Sequence, residues 1–241
     1  TGRMNLSSDV DLVFLVDELT ELTPVDAFAE LLELLRKRLT PETIDCRLRP
    51  EGDRAPLVTD LKGMERYCSS RMRVWEYQTY AKVSFIAGDH PLYRELLGVL
   101  KHGFRQFSVA DTLEQMKQVR KKMLPPETIG KKYFYPKRSP GGLADIDALR
   151  FFHASQSDQL WNETENVVPN EDDQLSPPFE FLKQLETAYL LYYGTAGNRL
   201  PISEEVITPL LRFLDADNFG SFRKQFDDAL YTVREEFRKH F

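Results

Sequence analysis

A change of periodicity near residue 60 constrains the fold of this chain more than any other feature. Before it, short apolar and β-branched runs alternate with one amphipathic segment. After it, apolar residues recur at three- and four-residue spacing, which is typical of helices that bury one face. Strands followed by a long series of helices predict an α+β fold. We expect a small unit of strands and helices over residues 1–90 and a larger all-helical domain over 91–241.

Composition excludes several classes of protein. Of the 241 residues, 41% are hydrophobic and 29% are charged, which is the balance of a globular protein rather than a disordered one. The net charge of −6 argues against nucleic acid as the main partner, because phosphate contacts need an excess of Lys and Arg. No apolar run is long enough to span a membrane, so we expect neither a nucleic-acid nor a membrane partner.

The cysteines and histidines indicate no metal site of their own. Cys46 and Cys68 are too few for a zinc cluster, and they predict buried thiols in a reducing, cytoplasmic location. The four histidines lack the i, i+4 spacing of paired ligands, which argues against a histidine-based metal site. No signal peptide precedes the first strand, and the chain starts almost inside a motif, so we expect a fragment of a longer polypeptide.

The spacing of apolar residues also predicts individual elements. A first strand is expected over Val10–Val16, and Thr23 is expected to cap a helix whose first residue is Pro24. Alternation over residues 44–48 predicts the next strand, and "APLV" predicts a further short one. Helices are expected as two segments between 60 and 88, then over 90–104, 108–123 and 143–156, with three more starting near Phe179, Ser203 and Phe219.

Acidic residues mark the head of the first strand. Asp9 and Asp11 are two residues apart, so in a strand their side chains project from the same face. Asp45 on a neighbouring strand would complete a cluster of three carboxylates. Hard oxygen ligands of this kind suit Mg²⁺, and two such ions promote in-line displacement at phosphorus. These three acids are therefore the predicted catalytic and metal-binding residues.

Basic and small residues near these acids predict a nucleotide site. Arg47 and Arg49 share the predicted face of Asp45, and a guanidinium fits a polyphosphate well. Ser7 and Ser8 are small enough to let a ligand approach the backbone. The same residues also fit a plainer interpretation, in which the acids of the strand meet water and the Asp and Arg side chains form a ladder of surface ion pairs.

Four stretches of sequence resemble a known family. In order along the chain they are "GRMNLSSDVDLVFLVDE", "IDCRLRPEGDRAPLVTDLKGMERY", "RVWEYQTYAKVSFIAGD" and "SPGGLADIDALRF". Together they resemble the catalytic unit of glutamine synthetase adenylyltransferase, the bifunctional adenylylating and deadenylylating enzyme of bacterial nitrogen control. The stretch from "NRLPISEEV" to the last residue resembles the end of the helical region in that family, so the resemblance covers nearly the whole chain.

The resemblance implies a fold, an activity and partners. The fold is a DNA polymerase β-like nucleotidyltransferase domain followed by a helical bundle. The activity is Mg²⁺-dependent transfer of AMP from ATP to a tyrosine of glutamine synthetase, or removal of that AMP by phosphorolysis. Glutamine synthetase is then the partner, together with a PII-type nitrogen-signal protein. The "GGLADID" form resembles the transferring half of the family more than the removing half.

The resemblance also assigns roles to residues. It matches Asp9 and Asp11 to the metal-binding pair of the family, and Asp45 to the acid just before its R-L-R-P sequence. Lys82 falls in the W-E stretch, where it is either a phosphate-binding residue or simply an exposed lysine of a helix. Lys137 precedes the glycine-rich motif, which is expected near the nucleotide or at the domain interface. Arg47 and Arg49 match the two arginines of R-L-R-P.

The chain departs from the family pattern at a few positions, and other functions stay open. Asp147 and Ala148 stand where the family usually has Glu and Phe, and only Gly2 and Arg3 represent the turn before the first strand. One alternative is a degenerate nucleotidyltransferase fold that binds nucleotide or a regulatory partner without turnover. Another is a nucleotidyltransferase with a different acceptor. Retention of all three acids favours an enzyme.

Overall fold

The computed structural model describes residues 10–39, 44–124, 132–157, 159–162, 174–194 and 199–241. These residues form two compact units. The first unit comprises 10–112 and 159–162, and the second comprises 113–157, 174–194 and 199–241. Each unit combines helices with short strands, which confirms the α+β class. The domain limits of 1–90 and 91–241 stay a prediction.

The first unit contains two small parallel sheets. Strand β1 (Val10–Asp11) pairs with β3 (Ile44–Asp45), and β2 (Phe14–Val16) pairs with β4 (Val58–Asp60). The single strand predicted over Val10–Val16 is therefore two short strands, because its two halves pair with different segments of the chain. The short strand predicted from "APLV" forms later than expected, because β4 begins at Val58, the last residue of that stretch.

Helix α1 (Val25–Arg38) covers the apolar side of the first unit. Its N-cap is Pro24 rather than the predicted Thr23, because the Thr23 hydroxyl instead accepts the backbone N–H of Thr20 at 2.9 Å. Leu32 of this helix is buried with residues of β3 and the turn after it. The members of this cluster are Leu32, Ile44 and Cys46, with Leu12, Phe14, Leu35 and Leu57 packed against them.

Four helices follow β4: α2 (Leu61–Ser70), α3 (Val74–Tyr80), α4 (His90–Phe104) and α5 (Val109–Met123). The Asp60 carboxylate caps α2 by accepting the N–H of Gly63 at 2.6 Å. Helix α3 was predicted to continue to Gly88 but ends at Tyr80. The carbonyl of Tyr80 accepts the indole N–H of Trp161 at 3.1 Å and the N–H of Val83 at 3.0 Å, so it is not available to continue the helix.

Both cysteines are buried free thiols, as predicted. Burial is the main cause that raises the pKa of Cys46, and burial also raises the pKa of Cys68 to about 11. Both groups therefore stay protonated at neutral pH. A protonated thiol is a weak nucleophile and a poor metal ligand, so neither cysteine is a candidate for catalysis.

The second unit is mainly helical. Its elements are β5 (Tyr133–Phe134), α6 (Leu143–Gln156), α7 (Ser176–Tyr193), β6 (Leu200–Pro201), α8 (Glu204–Ile207), a 3₁₀ segment (Thr208–Leu214) and α9 (Phe219–His240). Strands β5 and β6 pair antiparallel, so the segment 91–241, which was predicted to be all-helical, also contains a small sheet. Helices α6, α7 and α9 supply most of the core, which includes Ile146, Leu149, Leu182, Leu185, Phe222, Phe226 and Val233. Among the described residues, no helix is both long and apolar enough to cross a membrane.

Candidate functional site

Strands β1 and β3 place two of the predicted acids side by side. Asp11 and Asp45 are partners in the parallel register, and the N–H of Leu12 donates to the Asp45 carbonyl at 2.7 Å. Adjacent strands lie about 5 Å apart, so two side chains in register leave the sheet as neighbours on one face. Ile44, the preceding residue, is buried on the opposite face. The third predicted acid, Asp9, lies outside the described residues, as do Ser7 and Ser8.

Arg47 forms a fork on the Asp45 carboxylate. Its Nε lies 3.0 Å from Oδ1 and 2.8 Å from Oδ2, and its Nη2 lies 2.5 Å from Oδ2. The backbone N–H of Arg47 also donates to Oδ1 at 2.8 Å. A bond from an N–H to an aspartate side chain two residues earlier forms a turn. Strand β3 therefore ends at Asp45, and the strand predicted through residue 48 is wrong beyond that point.

The charges around Asp45 keep it ionised. The hydrogen bond from the Arg47 side chain is the main cause that lowers the pKa of Asp45, and burial opposes it. The charge of Arg36 also contributes to the lowering. Arg36, which lies in the last turn of α1, was not predicted from the sequence as part of the site. The signal was present, because that turn carries three consecutive basic residues, Arg36, Lys37 and Arg38.

Arg49 is half-buried and holds the loop that follows β3. Its guanidinium donates to the carbonyl of Cys46 and, at 3.3 Å, to the carbonyl of Ala55. The hydroxyl of Tyr80 donates to the Leu48 carbonyl at 3.0 Å from the other side. These bonds fix the R-L-R-P segment beside the acids. The predicted contact between Arg49 and a phosphate stays a prediction.

The W-E stretch has a clear part in building the first unit. Glu76 is buried and accepts the hydroxyl of Tyr67 and, at 3.0 Å, the backbone N–H of Arg73. It thereby caps α3 and ties it to α2. Burial first, and then the bond to Glu76, raise the pKa of Tyr67, so that phenol stays protonated. Lys82 is exposed just after α3, and its predicted phosphate contact stays a prediction.

Lys137 and the glycine-rich motif lie in the second unit. Lys137 is exposed. Gly141 has φ +80°, a conformation that L side chains rarely adopt, and a Cβ there would collide with the Leu230 carbonyl of α9. A Cβ on Gly142 would collide with the Pro136 carbonyl. Close packing of backbone against backbone inside this unit therefore explains both glycines, and the nucleotide role of Lys137 stays a prediction.

Asp145 of the same motif is buried with Arg120. The guanidinium of Arg120 forms an ion pair with Asp145 and donates to its Oδ2 at 3.2 Å, and the N–H of Gly141 donates to Oδ2 at 2.6 Å. Burial raises the pKa of Asp145, and the Arg120 charge opposes that rise. Arg120 also donates to the Arg138 carbonyl at 2.9 Å. These bonds join α5, the glycine turn and α6.

We expect the Asp45 carboxyl to titrate at higher pH when Arg47 is replaced by methionine. Methionine cannot donate the hydrogen bond that is the main cause of the lowered pKa. A lowered folded-state pKa adds stability above the ordinary aspartate value of about 3.9, and this stability is lost as the pH falls through the folded value. In Arg47→Met the folded-state pKa rises toward the unfolded value, so this contribution to stability becomes smaller. A carbon-13 NMR titration of the carboxyl, assigned with Asp45→Asn, measures the shift.

The matched control is Arg38→Met. Arg38 is an exposed arginine in the last turn of α1, and it is not among the causes of the Asp45 shift. We expect this variant to leave the Asp45 titration unchanged. An Asp45 pKa that stays low in Arg47→Met would contradict the assignment of the fork as the main cause.

Comparison with known proteins finds a family model that matches the part of the chain containing this site. Residues 1–99, which include both described acids, match the sequence model of glutamate-ammonia ligase adenylyltransferase. The resemblance expected from the motifs is confirmed. The match also takes in Arg36, Arg47 and Arg49, and it leaves out the second unit with Lys137.

Curated relatives of the chain carry one name, bifunctional glutamine synthetase adenylyltransferase/adenylyl-removing enzyme. The relative from Thioalkalivibrio sulfidiphilus is 27% identical over 273 aligned positions, which cover 100% of this chain and 28% of the relative. The relative from Nitrosococcus oceani is 24% identical, and the alignment covers 99% of this chain and 28% of the relative. The relative from Pseudomonas aeruginosa is 33% identical, and the alignment covers 48% of this chain and 14% of the relative. The chain thus spans less than a third of the length of these relatives.

Proposed function

We propose that this chain is a nucleotidyltransferase unit of the DNA polymerase β-like type that moves AMP to or from a tyrosine of glutamine synthetase. The observation that carries the proposal is the register of β1 and β3, which pairs Asp11 with Asp45 inside the matched region. The reaction and the partner are inferred from the name that the relatives carry. ATP as substrate, a PII-type protein as second partner and a cytoplasmic location belong to the same proposal.

The donor set fits magnesium. Asp11 and Asp45 offer carboxylate oxygens on adjacent strands, and the lowered pKa of Asp45 keeps that group in the charged form that a hard cation requires. With Asp9 as the third acid, these residues would hold two Mg²⁺ ions. When bound, the ions would supply electrostatic stabilisation of the attacking and leaving oxygens at phosphorus.

We infer that Arg47 changes partners when substrate binds. Its side chain is 71% exposed and forms its fork on Asp45, so outward rotation would expose little further surface. A cation at Asp45 would repel the guanidinium, and a polyphosphate would attract it. The charge of Arg36 acts on Asp45, and the charges of Arg36 and Arg49 both act on the neighbouring Cys46. We propose that Arg47, assisted by these two, neutralises the phosphates of ATP.

The transfer itself is an in-line displacement. In one direction the tyrosine oxygen bonds to the α-phosphorus of ATP, the bond from that phosphorus to the bridging oxygen breaks, and pyrophosphate leaves. In the other, a phosphate oxygen bonds to the phosphorus of adenylyl-tyrosine, and ADP and free tyrosine result. The lowered pKa makes Asp45 a weak base, so we assign it to holding metal rather than to removing the tyrosine proton.

A second candidate is a degenerate fold that binds nucleotide or a regulatory partner without turnover. The observation that favours it is the fork of Arg47 on Asp45, which matches the surface ion-pair ladder considered from the sequence. A nucleotidyltransferase with another acceptor is the remaining alternative. These functions differ in what they do to glutamine synthetase, and one experiment separates them.

The experiment follows the intact mass of glutamine synthetase in the presence of the chain and Mg²⁺. Unmodified glutamine synthetase is incubated with ATP, and adenylylated glutamine synthetase is incubated with inorganic phosphate. Gain of one adenylyl group per subunit in the first tube identifies a transferase, and its loss in the second identifies a deadenylylase. We expect one of these changes, and we expect Asp11→Asn to abolish it.

No change in either tube would overturn the proposed reaction. Binding of Mg²⁺–ATP, measured by calorimetry on the same sample, then shows whether the chain has a nucleotide site. Binding without transfer identifies either the degenerate fold or an enzyme with another acceptor. Asp17→Asn is the matched control, because Asp17 is an exposed acid just after β2 and is not assigned to the site.

A further inference from the structure

Three metal-binding side chains converge where α6 packs against α9 in the second unit. His153 comes from α6, and Glu236 and His240 come from α9. The Nε2 atoms of the two histidines are 3.2 Å apart, and the Nε2 of His240 is 3.3 Å from Oε1 of Glu236. All three ligand atoms lie within 4.8 Å of one another. The spacing of the histidines alone predicted no such site, because one ligand is a glutamate and the other histidine lies on a different helix.

Two of the three separations match those of a tetrahedral metal centre. Zinc binds histidine nitrogen at about 2.0–2.1 Å and carboxylate oxygen at about 2.0–2.2 Å, so neighbouring ligand atoms of a tetrahedron lie about 3.3–3.5 Å apart. Two of the three separations here are 3.2 and 3.3 Å. Small rotations of the side chains would bring the third separation to the same length. The three residues would form one face of the tetrahedron and leave the fourth position to water.

Hydrogen bonding alone serves this cluster poorly. A carboxylate only accepts, and a neutral imidazole has one N–H. If the Nε2 of His240 carries the proton, that proton must serve both Glu236 and His153. If the Nε2 of His153 carries it, the Nε2 of His240 faces the carboxylate with no proton between them. One divalent cation satisfies the lone pairs of all three groups at once.

Neighbouring groups hold the carboxylate in place. Oε2 of Glu236 accepts from the Lys239 ammonium at 2.6 Å, which leaves Oε1 on the side of His240. This bond is the main cause that lowers the pKa of Glu236, and a bond from Gln174 adds to it, so the group is charged at neutral pH. The Phe152 ring packs on His240 with centroids 5.5 Å apart. Contacts of this kind orient ligands at protein metal sites.

We propose that His153, Glu236 and His240 bind a late first-row divalent cation of the Zn²⁺ class and fasten the last turn of α9 to α6. Two imidazoles and one carboxylate favour such ions over Mg²⁺, which prefers oxygen ligands. Solvent reaches the cluster, because the His240 side chain is 31% exposed. This site is independent of the proposed adenylyl transfer and lies in the other unit of the chain.

The test uses Co²⁺, whose visible absorption reports tetrahedral nitrogen ligands. The tag-free chain of 241 residues is stripped of metal and titrated with Co²⁺ in excess Mg²⁺, which saturates oxygen-only sites. We expect one equivalent to bind and Zn²⁺ to displace it. His153→Gln and His240→Gln are each expected to weaken Co²⁺ binding more than about a hundredfold. That is a larger loss than removal of a residue that only hydrogen-bonds a metal ligand causes. His102→Gln, at an exposed position of α4, is expected to bind as the wild type does.

A second measurement needs no variant. X-ray absorption of the Zn²⁺-loaded wild-type chain is expected to show scattering from two imidazoles, and Zn²⁺ is expected to raise the midpoint of thermal unfolding by about 5 °C or more at a hundredfold excess over Kd. Absence of Co²⁺ bands in the wild type, a coordination shell of oxygen alone, or full binding by both histidine variants would each overturn the site. Loss of binding in a variant supports it only if the circular dichroism of the variant matches that of the wild type.

Discussion

Replacing Asp45 with asparagine is expected to slow AMP transfer about a thousandfold. Asparagine has nearly the same size and keeps an oxygen that accepts the N–H of Arg47, so the turn after β3 persists. The charge that would hold the cation is lost. Stabilisation by a bound metal is worth several kcal/mol, and about 4 kcal/mol corresponds to about a thousandfold in rate. Single-turnover rates at saturating Mg²⁺–ATP measure the effect.

Two further variants make the Asp45 result interpretable. Asp17→Asn removes an equal charge from the same segment and is expected to transfer AMP at the wild-type rate. Arg47→Met removes the fork but leaves the carboxylate, so it should weaken ATP binding more than it slows the transfer step. A rate for Asp45→Asn within about tenfold of the wild type would mean that Asp45 and Arg47 form only a surface ion pair.

Strand period and pairing predict that Asp11 and Asp45 lie on adjacent strands, and the register of β1 and β3 agrees, whereas the part of Asp9 stays a prediction. Asp11 and Asp45 each belong to a short apolar strand, and parallel pairing of two such strands puts them on one face. The ends of the elements were harder to predict, because single side-chain contacts decide them. A hydrogen bond to Asp45 ends β3, and the indole of Trp161, 81 residues away along the chain, takes the Tyr80 carbonyl at the end of α3. No local pattern contains a contact of that range.

The motifs that carry the family resemblance have different physical roles. The first two place the acids and the loop held by Arg49. The third supplies Glu76, which caps α3, and the fourth supplies Gly141 and Asp145, which pack the second unit. From the sequence, all four motifs are expected at or near the nucleotide or the domain interface. For the third and fourth motifs, the described contacts are explained by packing alone.

Arg120→Met is expected to destabilise the second unit by about 3–5 kcal/mol. The side chains of Arg120 and Asp145 are only 10% and 4% exposed, so the variant leaves a buried carboxylate without its cation. The Gly141 N–H remains as one donor, which is too little for a buried charge. Because a chain of two units need not unfold in one step, hydrogen exchange of peptides from α6 is the measurement of choice.

Two comparisons test the buried pair as the cause. Adding Asp145→Asn to Arg120→Met is expected to recover most of the loss, because asparagine is neutral and still accepts the Gly141 N–H. Arg223→Met breaks an exposed i, i+4 pair with Asp227 on α9, where the Nε to Oδ2 distance is 2.9 Å, and is expected to cost about 0.3–0.5 kcal/mol. Equal losses of stability in Arg120→Met and Arg223→Met would show that burial of the ion pair adds nothing to its effect on stability. A larger loss that Asp145→Asn does not relieve would assign the effect to the bond between Arg120 and the Arg138 carbonyl.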